Sequence, residues 1–323
     1  MRDTEATLGE VFGFDRFRPG QREIVEAVIA GREVLAIMPT GGGKSLCYQL
    51  PAVVLGGLTV VISPLIALMR DQVSALREAG VEAGALTSAN DPEETARVMA
   101  ALREGRLRLL YMAPERLASG AAGMLAQAGV TRLAVDEAHC VSQWGHDFRP
   151  DYLRIGELRA ALGVPMAAFT ATADQDTRAE IAKRLFAEPP VEFLRGFDRP
   201  NLSLAFEPKA APQKRITDFA LRRKGQAGIV YCSSRKRTEA LAQALSAAGL
   251  SALAYHAGLE AQERSARQDR FLREDGVVMA ATVAFGMGVD KPDVRWVVHA
   301  DLPKSVEAYY QEIGRAGRDG APA

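Results

Sequence analysis

Short apolar runs punctuate this chain and alternate with longer, Ala-rich stretches. Glu33–Met38, Leu58–Ile62, Leu107–Tyr111, Leu133–Asp136 and Met166–Thr170 predict buried strands. Residues 66–79 and 92–104 predict helices, and Leu46–Leu50 opens another. Strands alternating with helices are the pattern of a doubly wound parallel sheet. The rhythm breaks at Phe197-Asp-Arg-Pro-Asn201 and again between Glu207-Pro208 and Ala211-Pro212, a polar, Pro-marked stretch that reads as a linker. Strand-like runs then resume at Gly228–Cys232, Ala252–Tyr255, Val277–Thr282 and Val294–His299. The expectation is two α/β domains, 1–200 and 201–323. The length of 323 residues points the same way, since it exceeds one ordinary core.

Composition narrows the class without naming a partner. Hydrophobic residues at 48% and charged residues at 25% are ordinary for a globular protein. Lys+Arg and Asp+Glu both number 40, so a nucleic-acid partner cannot be read from bulk charge and would need local basic patches. Cys47, Cys140 and Cys232 are scattered with no CxxC pair, which points to a reducing compartment, no disulfide framework and no structural zinc. No apolar run reaches membrane-spanning length and the N-terminus lacks a signal-peptide core, so no membrane partner is expected.

Two motifs carry candidate chemistry. Met38-Pro-Thr-Gly-Gly-Gly-Lys-Ser45 lies between a predicted strand and a predicted helix, the setting of a phosphate-binding loop. Thr40, Gly41, Gly42 and Gly43 would let backbone amides curl around phosphate oxygens. Lys44 would reach the β- and γ-phosphates, and the Ser45 hydroxyl would hold Mg²⁺. The strict pattern asks for Gly where Met38 stands, so a solvated Gly-rich turn stays open on the loop alone. The second motif, Asp136-Glu137-Ala138-His139, follows an apolar strand. Carboxylates there sit at the edge of a parallel sheet where ligands bind. Asp136 suits Mg²⁺ and Glu137 suits activation of the attacking water, while His139 is a candidate to bridge this site to another. Both motifs in order make an ordinary acidic strand end a poor alternative.

Near the end of the chain, Gln311-Glu-Ile-Gly-Arg315-Ala-Gly-Arg318 sets two guanidinium groups one helical turn apart. Arg suits bidentate phosphate binding, and one such Arg can act as a finger on a γ-phosphate. A solvated basic helix face is the alternative.

These blocks together resemble the catalytic core of the RecQ family of superfamily 2 DNA helicases. Further blocks carry the resemblance: Phe17-Arg-Pro-Gly-Gln21, Ser63-Pro-Leu-Ile66, Ala113-Pro-Glu-Arg116, Ser142–Pro150, Thr170-Ala-Thr-Ala173, Phe197–Asn201, Tyr255-His-Ala-Gly258, Ala284–Asp290 and Gln311–Gly320. The resemblance implies two tandem RecA-like domains with a nucleotide cleft between them, the second domain cut short. It implies ATP and Mg²⁺, and single-stranded or partially duplex DNA as partner. It also implies 3′–5′ translocation and unwinding in recombination and repair, a monomer, and a cytoplasmic location, nucleoid-associated in bacteria or nuclear in eukaryotes.

The resemblance also implies residue roles. Gln21 reads the adenine edge while Phe14 and Arg18 sandwich the base; on residue type alone, Phe14 could be core and Gln21 helix surface. The aromatic-rich loop senses single-stranded DNA through Trp144, His146, Phe148 and Arg149, its rings stacking on bases. Ser63, Arg70 and Gln72, with Ser233, Arg235, His256 and Thr282, are candidates for nucleic-acid contact. Each is weak by itself, and His256 and His299 could be structural. Thr170 and Thr172 resemble a hydroxyl pair that ties nucleotide state to domain position, and Asp290 a residue facing the nucleotide with Arg318. Two rival readings remain: an RNA helicase or nucleic-acid-stimulated ATPase of the same superfamily, and a degenerate binding module without catalysis.

Overall fold

The computed structural model describes residues 3–117, 120–142, 148–196, 199–285 and 291–323. The chain divides into two compact units, Met1–Phe197 and Asp198–Ala323.

The first unit is a seven-stranded sheet: β1 Val34–Ile37, β2 Leu58–Ile62, β3 Ala83–Leu86, β4 Leu109–Met112, β5 Val130–Val135, β6 Met166–Thr170 and β7 Val191–Leu194. Its order is β3-β4-β2-β5-β6-β1-β7, and the paired strands are parallel. Among the described residues eight α-helices accompany it: α1 Thr4–Phe12, α2 Gln21–Ile29, α3 Leu46–Leu55, α4 Ile66–Glu78, α5 Pro92–Arg103, α6 Ala121–Gln127, α7 Arg154–Leu162 and α8 Gln175–Leu185. Successive side chains along a strand point to opposite faces. In β1, Val34 and Ala36 join one buried cluster, whereas Leu35 and Ile37 join the other. Both faces are therefore covered, which is why these strands read as continuous apolar runs rather than alternating ones.

The topology creates the site. After β1 the chain crosses to β2, and β6 and β5 lie between the two. The carboxyl ends of β1, β6, β5 and β2 come level, with Ile37 beside Thr170 and Val135 beside Ile62. Such a reversal of strand order opens a crevice at the carboxyl edge.

The second unit is a four-stranded parallel sheet ordered β11-β8-β10-β9, from β8 Ala227–Tyr231, β9 Ala252–Tyr255, β10 Val278–Ala281 and β11 Val294–His299. Its helices are α9 Pro212–Leu221, α10 Arg235–Ala247, α11 Ala261–Arg273 and α12 Val306–Ile313. Gly228 in β8 faces Trp296 in β11, and a Cβ there would lie 2.1 Å from the indole ring. Trp296 is buried and cannot swing aside. Gly228→Ala is expected to destabilise this unit by about 1–3 kcal/mol, the usual cost of overpacking, read as a lower melting temperature.

The doubly wound α/β architecture is the one expected. Two strands were not foreseen, β3 and β7. The three cysteines are free and buried, and burial pushes the Cys47 thiol up to about 12. Among the described residues no helix is long and apolar enough to cross a membrane, and no His, Cys, Asp and Glu cluster could hold a metal ion.

Candidate functional site

The loop leaves β1 while the sheet still holds it, Met38 N donating to Thr170 O at 3.0 Å. Gly43 has φ +78°, and a Cβ there would sit 2.3 Å from Gln21 Nε2, so only glycine fits. Gln21, at the start of α2, is 2% exposed. Its Nε2 donates to Gly43 O at 3.1 Å and Gly42 O at 3.3 Å, and its Oε1 accepts from Arg18 N at 2.8 Å. The Arg18 guanidinium donates to Gly41 O. The element Phe17–Gln21 therefore grips the loop backbone. This removes the helix-surface alternative for Gln21, and in this arrangement its amide binds the loop. Phe14 is 48% exposed, so it is not a core residue.

Lys44 Nζ lies 3.5 Å from Met38 O, and Ser45 makes no side-chain capping bond to α3. The buried Tyr48 hydroxyl lies within hydrogen-bonding reach of Ser45 and Tyr111. Tyr48 was not singled out from sequence; its place three residues after Ser45, on one helix face, was the available signal.

At the end of β5, Asp136 is buried, and its N donates to Ile62 O at 2.8 Å. Its carboxylate accepts from Glu137 N at 3.0 Å and from Ser63 Oγ at 3.5 Å. Burial pushes the Asp136 carboxyl well up, the Glu137 charge adds to this, and the Lys44 ammonium opposes it. Lys44 and Asp136 thus feel each other across the crevice. Glu137 is held in the left-handed region at φ 49°, ψ 47°, an uncommon backbone for a non-glycine residue and one that collects at functional sites. Its Oε2 is buried without a hydrogen-bond partner among the described residues and lies 3.4 Å from His139 Nδ1. His139 Nδ1 meets Thr170 Oγ1 at 2.9 Å, and Thr170 Oγ1 donates to Thr172 O at 3.1 Å. The loop, both carboxylates, His139 and the threonine pair therefore form one connected site.

This donor set fits a nucleoside triphosphate with Mg²⁺. The oxygens of Ser45 and Asp136 are hard ligands, and among the described residues Glu137 Oε2 and Thr172 Oγ1 are buried without a hydrogen-bond partner.

The nucleic-acid candidates scatter more. Ser63 is 2% exposed and turned to Asp136, so it belongs with the carboxylates rather than on a strand track. Gln72 is engaged too, its Oε1 accepting from Gln49 Nε2 at 2.6 Å. Arg70 is exposed and donates to Ala89 O at 2.6 Å. Phe148 and Arg149 are half-buried, and Arg149 Nη1 donates to Pro64 O at 3.3 Å. Trp144, His146 and Asp290 lie outside the described residues.

In the second unit, Ser233 and Arg235 are exposed at the start of α10, and Thr282 is half-buried after β10. His256 is 3% exposed and its Nε2 meets Glu239 Oε1 at 2.9 Å. Asp301, not foreseen, anchors this surface: it accepts from Ser233 N at 3.0 Å and from Lys209 and Arg237, and its carboxyl is held far below the carboxylate range.

Arg315 and Arg318 do not share a helix face as expected. Helix α12 ends at Ile313, capped by Gly314, and both arginines stand on the turn that follows. Gly317 at φ +55° prevents continuation of the helix. Arg315 is 7% exposed and lies against the Tyr231 hydroxyl.

The DEAD/DEAH box helicase model matches residues 18–181, and the helicase conserved C-terminal domain matches residues 211–320. The ATP-dependent DNA helicase RecQ of Haemophilus influenzae is 47% identical over 320 residues, 98% of this chain and 52% of that protein. That of Pasteurella multocida is 48% identical over 318 residues, 98% and 50% of the two lengths. The RecQ-like DNA helicase BLM of Xenopus laevis is 45% identical over 322 residues, 96% and 24%. The chain thus spans about half the length of the bacterial relatives. Among solved structures, Mss116p bound to single-stranded RNA and AMP-PNP aligns with a TM-score of 0.80 at 18% identity, covering 100% of this chain and 71% of that one. Mycobacterium smegmatis helicase Lhr bound to single-stranded DNA and AMP-PNP aligns with a TM-score of 0.73 at 24% identity, covering 95% and 45%. At such identities these two establish the fold: tandem RecA-like domains.

Proposed function

The chain belongs to the RecQ family of superfamily 2 helicases, and on that premise we propose that it is the motor core of an ATP-dependent DNA helicase. The observation that carries this reading is the meeting, at one sheet edge, of a glycine loop bearing Lys44 with the buried carboxylate of Asp136 and the half-buried Glu137, whose Oε2 is occluded.

Loop amides and Lys44 hold the triphosphate. Ser45 and Asp136 would hold Mg²⁺, which would supply neutralising charge at the phosphates. Glu137 Oε2 accepts a proton from the attacking water as its oxygen bonds to the γ-phosphorus and the bond to the bridging oxygen breaks. His139 lies 3.4 Å from that oxygen and hydrogen-bonds Thr170, so a change at Glu137 has a contact route through His139 to the threonine pair. Phe14 and Arg18 flank the base, and Asp290, with Arg315 and Arg318, attends the nucleotide; the arginines supply positive charge to the transferred phosphate. Single-stranded DNA is the partner, through Trp144, His146, Phe148 and Arg149 and the basic start of α10. Movement is 3′ to 5′, the protein acts as a monomer, and its setting is recombination and repair in the cytoplasm or nucleus.

ATP turnover measured with single-stranded DNA and with RNA of the same sequence tests the reading. DNA is expected to raise turnover strongly and RNA weakly. Equal stimulation would make this an RNA helicase or general nucleic-acid-stimulated ATPase. Nucleotide binding without turnover would make it a binding module.

A further inference from the structure

The motif Phe197-Asp-Arg-Pro-Asn201 reads from sequence as a linker and as one block of the family resemblance, with no role of its own. In the structure its described residues, 199–201, reach the arginine turn 115 positions and more away. Arg199 donates through Nη1 to Gly314 O at 3.2 Å and through Nη2 to Ala316 O at 2.8 Å and Gly317 O at 2.7 Å. Asn201 Nδ2 donates to Gly317 O at 2.9 Å and Ala321 O at 2.9 Å. Two side chains thus bind four backbone carbonyls of the segment that carries Arg315 and Arg318. All of these residues lie within the second unit.

These carbonyls need partners. Gly314 O stands at the C-cap of α12, where a helix's last carbonyls have no partner inside it, and the other three follow on the turn. A cation at a helix C-terminus is favourable, and a planar guanidinium fork can serve several carbonyls at once. Gly317 is fitted to the same contact: a Cβ there would stand 2.5 Å from Asn201 Nδ2 and 2.9 Å from Ala321 O. The turn is further pinned to the sheet by Gly317 N donating to Val294 O at 2.8 Å. The backbone between Gly314 and Gly317 is therefore fixed from both sides, and with it the stems of Arg315 and Arg318.

We infer that Arg199 and Asn201 are positioning residues for the arginine turn: they set its backbone so that Arg318 meets the transferred phosphate in a productive geometry. This rests on the proposed part of Arg318 in hydrolysis. Misplacing a charge by about 1 Å costs on the order of 10²-fold in rate.

The experiment compares Arg199→Ala, Arg318→Ala and the double variant in the full chain, with kcat and KM for ATP at saturating single-stranded DNA. Arg199→Ala is expected to lower kcat by on the order of 10²-fold while KM moves little. The double variant is expected to be no slower than Arg318→Ala, because Arg199 works through Arg318. Arg199→Lys keeps the charge without the fork; it should keep the wild-type melting temperature and still turn over slowly. If Arg199→Ala does not fold, Asn201→Ala takes its place with the same expected pattern. Wild-type kcat in Arg199→Ala alongside a slow Arg318→Ala overturns this inference and leaves the part of Arg318 intact. Losses that multiply in the double variant overturn it as well, as does full recovery of kcat by Arg199→Lys. Normal kcat in Arg318→Ala removes the underlying reading itself.

Discussion

Lys44→Ala is expected to abolish ATP hydrolysis. The warrant is electrostatic: Lys44 is the cation whose charge reaches the buried Asp136 carboxyl, so it stands where a triphosphate and its metal would concentrate negative charge. Donors aimed at charge that develops in a water-poor site are each worth on the order of 10²–10³-fold in rate, and Lys44 also contributes to holding the ground state. Its structural role is small, because among the described residues its ammonium makes only a long hydrogen bond, to Met38 O at 3.5 Å. The melting temperature should stay near wild type, as for substitutions that break no buried contact. Turnover at saturating ATP and DNA is the measurement. Wild-type-like turnover would refute the loop assignment and return the segment to a Gly-rich turn.

The parts legible in sequence were those fixed by local chemistry. Apolar runs announced most strands: the fully buried β2 and β6 and the edge strands β9 and β11 begin and end where expected. The two strands missed lack that signal. β3 is Ala-Gly-Ala-Leu, too small to look like a strand, and a Cβ on Gly84 would already press on Val98 at 3.0 Å. β7 is an edge strand of alternating exposure, short and preceded by Pro189 and Pro190. The arginine pair was read as helical because a three-residue spacing fits a helix turn. The glycines at 314 and 317 end that helix, and their effect depends on Asn201 and Arg199, which sequence distance hides.

The site shows the same division. Lys44, on the loop between β1 and α3, and Asp136 and Glu137, just past β5, were legible because each lies in a motif that follows an apolar strand. Ser63 was expected on the strand track, but its hydroxyl turns inward to Asp136, a consequence of β2 and β5 being neighbours. Tyr48 and Asp301 were missed because they act on backbone or on other side chains, and such partners are chosen by the fold. The left-handed backbone at Glu137 could not be foreseen either, since nothing in a Glu residue asks for it.

Glu137→Gln is expected to separate binding from chemistry. The substitution keeps the shape and length of the side chain and removes its ability to take a proton. Among the described residues Glu137 Oε2 has no hydrogen-bond partner to lose, and His139 Nδ1, 3.4 Å away, also contacts Thr170. The backbone strain at φ 49° is carried equally by Gln, so the fold and the loop should be unaffected. Loop amides, Lys44, Ser45 and Asp136 all remain, and nucleotide affinity should stay within a few fold of wild type. Hydrolysis should fall by about 10²–10⁴-fold, the usual worth of a positioned general base. Binding of a fluorescent ATP analogue and single-turnover hydrolysis, measured on the same preparation, give the two quantities separately. Lys44→Ala should lose both, and that contrast identifies Glu137 as the residue that acts on water. A variant that loses nucleotide binding but hydrolyses what it binds at the wild-type rate would reverse the two roles, making Glu137 a binding residue and leaving Asp136 as the candidate base.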